Sequence, residues 1–196
     1  MKVIGLTGNS GSGKGTVAQI MKEYGAVIID CDKTAHKNML KSGAAYNELI
    51  SAFGEKILKC DGEIDRKILG SIVFNDSNKL KLLNEITHKY IVKEAENEIN
   101  KNSGKKVVVI DAPLLIESGL NKICDSIWVV YAPFEMRIER VMKRDGIDRE
   151  GAVLRFKNQT PFEDLKRYAD IIIENDGDIE KIKNEITCIM KDKGLI

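Results

Sequence analysis

Five short apolar runs, each rich in β-branched residues, recur along the chain at 3–7, 27–30, 107–111, 127–131 and 171–173. Little polar alternation interrupts them, as suits strands buried on both faces. The stretches between them carry helical periodicity, so the pattern predicts a parallel sheet covered by helices on both sides. Between the first two runs Val17, Ile20, Met21 and Tyr24 share one helical face, and Gly25 follows as a stop, giving a βαβ unit. The second and third runs are separated by about 75 residues, too many for one crossover. They read as helices over 34–41, 45–58, 66–74 and 77–100, with turn signals at Asp61-Gly62 and Asn102-Ser103-Gly104, hence as an inserted helical subdomain. After the fourth run come helices over 134–145 and 149–158, joined at Gly146, and a last helix over 179–193. Gly146 is expected as a C-cap in preference to a hinge, and Trp128, among apolar neighbours, as core.

Composition narrows the class. The chain has 196 residues, 43% hydrophobic and 31% charged with 16 Gly and only 3 Pro, which argues against disorder or a fibre and for one domain with a substantial core. With 31 Lys+Arg against 30 Asp+Glu the net charge is +1, which excludes the basic bias of a dedicated nucleic-acid binder. Cys31, Cys60, Cys124 and Cys188 stand far apart, without zinc-ligand spacing, and are expected to be buried thiols. The apolar start is too short for a signal segment and no run approaches a bilayer span, so a soluble cytoplasmic protein is expected, with no membrane association.

The stretch Gly8-Asn9-Ser10-Gly11-Ser12-Gly13-Lys14-Gly15-Thr16 follows the first strand and opens the first helix. In that context a glycine-rich segment is a phosphate loop. Its glycines let successive N–H groups face one anion, the helix N-terminus adds partial positive charge, and Lys14 adds a full one. Nucleotide β- and γ-phosphates are the natural ligand. The position after Lys14, where a hydroxyl usually ligates Mg²⁺, is Gly15, and the hydroxyl is delayed to Thr16. Mg²⁺ is therefore expected to be held mainly through water and phosphate oxygens.

Ligands of such sheets sit beyond the carboxyl ends of the strands, which singles out Asp30, Asp32 and Asp111. Phosphoryl transfer to a hydroxyl needs a carboxylate to take the proton and another near Mg²⁺. An extended Asp30-Cys31-Asp32 would point both aspartates to one side. Each of these two equally suits a helix cap, and Asp111 equally suits a turn before Pro113.

Three further stretches resemble the dephospho-CoA kinase family: 27–35 (VIIDCDKTA); 61–66 (DGEIDR) with Leu69, Val73-Phe74 and 83–88 (LNEITH); and 111–117 (DAPLLIE). The likeness continues through Arg140, Arg144-Asp145, Gln159, Ala169-Asp170 and Asn175, spanning nearly the whole chain. It implies ATP-dependent phosphorylation of the ribose 3′-hydroxyl of dephospho-CoA, the last step of coenzyme A synthesis. The implied fold is a P-loop NTPase: three-layer α/β/α, a five-stranded parallel sheet, an inserted helical acceptor-binding subdomain and a helical lid. The implied single domain over 1–196 divides into a core (1–32, 105–132, 169–196), an acceptor subdomain (33–104) and a lid (133–168).

Carried onto matching positions, the resemblance makes Asp32 the base, with Lys14 and Arg140 also catalytic, and assigns ATP phosphates to Gly11, Ser12, Gly13, Lys14, Gly15 and Thr16. Arg140 and Arg144 become lid arginines, and Asn175 contacts the ATP base. Arg66, His88, Pro113 and Leu114 fall on the acceptor side with Asp32, and Thr16 and Asp32 near Mg²⁺. Arg137, Arg140 and Arg144 form one helical stripe at i, i+3 and i+7. Arg140 and Arg144 are expected on phosphate, whereas Arg137, among interspersed carboxylates, is expected on a solvated face. Gly15, Lys89 after His88 in place of a proline, and a basic residue displaced to Lys166 depart from the family pattern. No protein partner is implied. A nucleoside monophosphate kinase, which shares the Gly-Lys-Gly-Thr loop, and a non-catalytic ATP-binding switch are the alternative functions.

Overall fold

The apolar runs form five strands in the computed structural model, which describes residues 1–157 and 159–196. They are β1 (Lys2–Thr7), β2 (Val27–Asp30), β3 (Val107–Asp111), β4 (Ser126–Tyr131) and β5 (Ile171–Glu174), in the order β2-β3-β1-β4-β5. β1 pairs in parallel with β3, from Lys2 opposite Val107 to Leu6 opposite Asp111, and with β4, from Ile4 opposite Ser126 to Thr7 opposite Val129. β4 pairs in parallel with β5. The connection from β1 runs to β2 on one flank and that from β3 to β4 on the other, so a crevice opens between the carboxyl ends of β1 and β3, where ligands of open α/β sheets bind.

The helices are α1 (Lys14–Glu23), α2 (Cys31–Asn38), α3 (Tyr46–Phe53), α4 (Arg66–Val73), α5 (Ser77–Lys101), α6 (Phe134–Asp145), α7 (Arg149–Lys157), α8 (Phe162–Lys166) and α9 (Ile179–Asp192). The chain divides into two compact units, residues 1–29 with 99–196, and residues 30–98. In the first, Ile4, Leu6, Val107, Val109, Trp128, Val130 and Ile173 on one sheet face pack with Val17, Ile20 and Met21 of α1 and Ile182, Ile186 and Met190 of α9. Each such side chain, taken fully out of water, contributes about 1.5–3 kcal/mol, which is why the alternating sheet residues and the i, i+3, i+4 helix residues meet there. Trp128 is fully buried. On the opposite sheet face Gly5 leaves room for Leu115 and Cys124, whose atoms lie 2.7 and 2.8 Å from where a Cβ would be. Ile138 and Val141 of α6 close a small core with Ala152 and Phe156 of α7.

The second unit has its own core, in which Tyr46, Leu49 and Phe53 of α3 meet Ile57, Ile64, Leu69, Val73 and Ile86. The helix expected over 45–58 is interrupted: α3 ends at Gly54, whose φ of 79° disfavours any side chain, and a 3₁₀ turn (Glu55–Ile57) follows. α2 starts three residues before the expected 34 because the Asp30 carboxylate accepts from the Lys33 N–H at 2.9 Å and caps it. Asp32 therefore lies in the first turn of a helix, and the extended Asp30-Cys31-Asp32 of the sequence reading is corrected.

Other boundaries agree closely with the pattern. Gly146 is the left-handed C-cap of α6, with φ 64°. Position 158, the last residue of the helix expected over 149–158, lies outside the described residues. α8, only five residues long, has no counterpart in the sequence reading. The expectation of four buried thiols holds for Cys31 alone: Cys60 and Cys188 are exposed and Cys124 is half-buried. Burial, with a smaller contribution from the neighbouring Asp125, pushes the Cys124 thiol up to about 12. Among the described residues no helix is long and apolar enough to cross a membrane.

Candidate active site

The loop over 8–13 leaves the carboxyl end of β1 and turns into α1. Gly13, at φ 91°, is the N-cap of α1 and offers no side-chain cap. A Cβ there would fall inside the Asn175 side-chain amide, and one on Gly11, at φ 80°, would lie 2.6 Å from the Arg137 carbonyl. Both positions therefore require glycine for space as well as for backbone conformation. The Ser12 N–H donates to the Asn9 carbonyl at 3.0 Å, and the Thr16 N–H to the Gly13 carbonyl at 2.9 Å. Among the described residues no acceptor stands against the N–H groups of Gly11, Gly13, Lys14 or Gly15. A concave row of donors at a helix N-terminus is chemically suited to an anion.

Lys14, in the first turn of α1, forms an ion pair with Asp111 at the end of β3, and both side chains are largely buried. The parallel register that sets Leu6 opposite Asp111 makes this pairing possible across 97 positions of sequence. Gly15 and Thr16 are exposed.

α6 lies behind the loop and fastens it. Arg137 donates from Nε to the Ser10 carbonyl at 3.0 Å and from Nη2 to Gln159 Oε1 at 3.3 Å, with its guanidinium 4.3 Å over the Phe156 ring. Burial lowers the Arg137 pKa, an effect that Tyr131 opposes, yet a guanidinium stays charged. Arg137 is thus not on a solvated face: the expectation fails because the stripe spacing does not reveal that the loop covers this side of α6. Arg140 donates from Nη1 to the carbonyls of Gly11 and Ser12 at 3.1 and 3.4 Å, and from Nη2 to Asn175 Oδ1 at 2.9 Å. Arg144, more than half exposed, is held by Asp145 at 2.8 and 2.9 Å and reaches Ser10 Oγ at 3.4 Å. The hydrogen bond to Asp145 raises the Arg144 pKa and lowers that of Asp145.

Asn175 follows β5 and is 4% exposed. Its Nδ2 donates to the Ser12 carbonyl at 2.7 Å, and its Oδ1 accepts from Arg140 and, at 3.3 Å, from the Gly177 N–H. Both ends of the amide that the resemblance sends to the ATP base are thus engaged with protein. On the other flank, the Ser10 N–H donates to Gln159 Oε1 at 3.1 Å and Asn9 Nδ2 to the Thr160 carbonyl at 2.8 Å.

The first unit therefore brings together Gly11, Ser12, Gly13, Lys14, Arg140, Arg144 and Asn175 from the sequence-derived set. It adds Arg137 and Gln159, and it makes Asp111, one of the three strand-end carboxylates, the ion-pair partner of Lys14. Pro113 and Leu114 are exposed just beyond β3, and the Pro113 carbonyl accepts from Thr7 Oγ1 at 3.3 Å. In the second unit Asp32 is exposed in the first turn of α2, and His88 is half-buried on α5. Arg66 opens α4 beside a cavity of about 530 Å³ lined also by His36, Lys59 and Lys67 and by the carboxylates of Glu63 and Asp65.

A parallel sheet of this order, with a donor-lined loop and a lysine at the carboxyl end of its central strand, defines a P-loop nucleotide-binding protein. The family model described as dephospho-CoA kinase matches residues 2–181. Curated dephospho-CoA kinases from Carboxydothermus hydrogenoformans and Aquifex aeolicus are similar at 42% identity over 193 residues and 44% over 186, covering 97% and 95% of this chain and 94% of each relative. The solved dephospho-CoA kinase from Campylobacter jejuni is 30% identical, covers 99% of this chain and 98% of its own, and superposes with a TM-score of 0.72. The chain belongs to the dephospho-CoA kinase family.

Proposed function

We propose that this protein transfers the γ-phosphoryl group of ATP to the ribose 3′-hydroxyl of dephospho-CoA, giving coenzyme A and ADP, the final step of coenzyme A biosynthesis. The observation that carries the reading is the loop over 8–16: in a chain of this family, its outward N–H groups and Lys14 form a site for a polyphosphate. The amides of Gly11 to Thr16 hold the phosphates. The Lys14 ammonium, kept at the strand edge by Asp111, turns to the more highly charged phosphate oxygens. Asp32 accepts the proton of the 3′-hydroxyl as that oxygen bonds to the γ-phosphorus and the bond to the β-γ bridging oxygen breaks, releasing ADP. The segment over 133–168 serves as a lid, with Arg144 reaching Ser10 Oγ, and excludes water that would otherwise hydrolyse ATP, while Arg140 holds the Gly11 and Ser12 carbonyls from behind the loop. Arg66, His88, Pro113 and Leu114 serve the acceptor.

Mg²⁺ takes one or two protein oxygens together with phosphate oxygens and water. Thr16, exposed beside the loop, offers one such oxygen within the first unit, which fits an ion carried in with ATP, and the resemblance adds the carboxylate of Asp32. Bound there, the ion would neutralise charge on the β- and γ-phosphates.

The test is a product assay with ATP, Mg²⁺ and dephospho-CoA, mass spectrometry locating the added phosphate on the 3′ oxygen. Asp32→Asn is expected to keep ATP binding and lose turnover by about 10²–10⁴-fold, the range of a general base. Preference for AMP over dephospho-CoA would overturn the acceptor. ATP binding without any phosphorylated product would overturn catalysis.

A further inference from the structure

The hydrogen bonds behind the phosphate loop follow a rule set by peptide geometry. In a trans peptide the C=O and the following N–H point in opposite directions, so a group that pins a carbonyl on one side aims the next N–H to the other. The Ser10 carbonyl is pinned by Arg137 Nε, which aims the Gly11 N–H. The Ser12 carbonyl is pinned by Asn175 Nδ2 at 2.7 Å and by Arg140, which aims the Gly13 N–H. The Gly11 carbonyl is taken by Arg140, and the Asn9 carbonyl by the Ser12 N–H within the loop. Among the described residues the N–H groups of Gly11 and Gly13 have no acceptor of their own.

We propose that Asn175, and with it Arg137, are positioning residues of the phosphate loop: they fix the Ser12–Gly13 and Ser10–Gly11 peptide planes so that the Gly13 and Gly11 N–H groups face bound phosphate. Asn175 suits this task because its own orientation is fixed at the opposite end, where Oδ1 accepts from Arg140 Nη2 at 2.9 Å and from the Gly177 N–H. It is 4% exposed, so water cannot replace it as a donor to the Ser12 carbonyl. Arg137 is steadied by Gln159 and by the Phe156 ring. With these donors gone, a peptide flip would turn carbonyl oxygens toward the anion and N–H groups away from it. Asn175 then serves polyphosphate binding through the loop and does not contact the base.

The inference rests on the reading that the loop holds phosphates, and its test separates the two. Inorganic tripolyphosphate, which has no base, and ADP are titrated by calorimetry into the wild-type chain and into Lys14→Ala, Asn175→Leu and Arg137→Lys, with circular dichroism as a check of folding. Wild-type binding that Lys14→Ala weakens establishes the loop as the phosphate site. Absence of both would defeat the functional reading itself.

Given that binding, Asn175→Leu is expected to weaken tripolyphosphate and ADP in equal proportion, by about tenfold or more for a lost buried hydrogen bond. The KM for the acceptor should stay unchanged. The Gly13 amide resonance, which shifts when tripolyphosphate binds the wild type, should no longer do so. Arg137→Lys keeps the charge and the aliphatic stem, lacks Nε, and is expected to act in the same direction on the Gly11 amide; it carries the test alone where Asn175→Leu does not fold. Weaker ADP binding with unchanged tripolyphosphate binding would assign Asn175 to the base and overturn the proposal, as would unchanged affinity for both.

Discussion

Two helices cover the same face of the sheet and begin in opposite ways. α9 is closed at its N-terminus by Asp178, whose carboxylate accepts from the Lys181 N–H at 3.1 Å. α1 begins at Gly13 in the left-handed region, with no side chain capping it. Asp30 and Asp65 close α2 and α4 as Asp178 closes α9. An aspartate cap stabilises a helix by about 1 kcal/mol, and α1 has none. Its place is taken by a glycine that leaves the first-turn donors uncovered. The same row of first-turn N–H groups is closed by a side chain at α9 and left open at α1, as the proposed phosphate site requires.

The sharpest way to break this comparison is Gly13→Ala. The backbone at φ 91° costs a residue with a Cβ about 1–2 kcal/mol, and the new methyl would displace the Asn175 amide from the Ser12 carbonyl. The expected outcome is a thermal midpoint lowered by about 4–8 °C, following a loss near 2 kcal/mol in a chain of this size, together with ATP affinity reduced by at least about tenfold. Calorimetry and a melting curve read both. Unchanged nucleotide affinity would show that the Gly13 N–H is not used.

Asp178→Ala probes the other half. It removes the cap of α9 without touching the loop, so it should cost about 1 kcal/mol, a fall of about 2–4 °C in midpoint, and leave the KM for ATP unchanged. A matching loss of ATP affinity would mean that the two helix ends are coupled and do not serve separate ends.

The parts of this site that were legible in the sequence are those governed by local chemistry. The five strands could be read because buried parallel strands are continuous β-branched runs, and the loop because its glycines and lysine fall between a strand and a helix. α2 was misplaced because its cap, Asp30, is also the last strand residue, so the local pattern does not divide the two roles. A lone Gly54 did not announce the break after α3. The arginine stripe shows which residues share a face of α6 but not what covers it, so spacing alone leaves Arg137 toward solvent, whereas its guanidinium holds the Ser10 carbonyl. The Lys14–Asp111 pair depends on strand register between distant segments. The direction of the Asn175 amide is likewise a tertiary property that composition and spacing do not encode.

The smallest expected effect concerns the residue that sets this loop apart from the usual one. Gly15, in the first turn of α1, has open space where a Cβ would go and a backbone that any residue can adopt. Gly15→Ser should therefore be tolerated, with stability changed by no more than about 0.5 kcal/mol in the direction of a better helix former. It restores a hydroxyl directly after Lys14. A Mg²⁺ titration of turnover at saturating ATP separates two arrangements: a lower half-saturating concentration, with kcat at saturation unchanged, means that the wild-type chain relies on water and phosphate oxygens at that position. An unchanged titration means that Thr16, one residue further along the same exposed turn, already supplies the oxygen. The first result is expected, because successive residues of a helix point about 100° apart and a hydroxyl moved by one position does not face the same ligand.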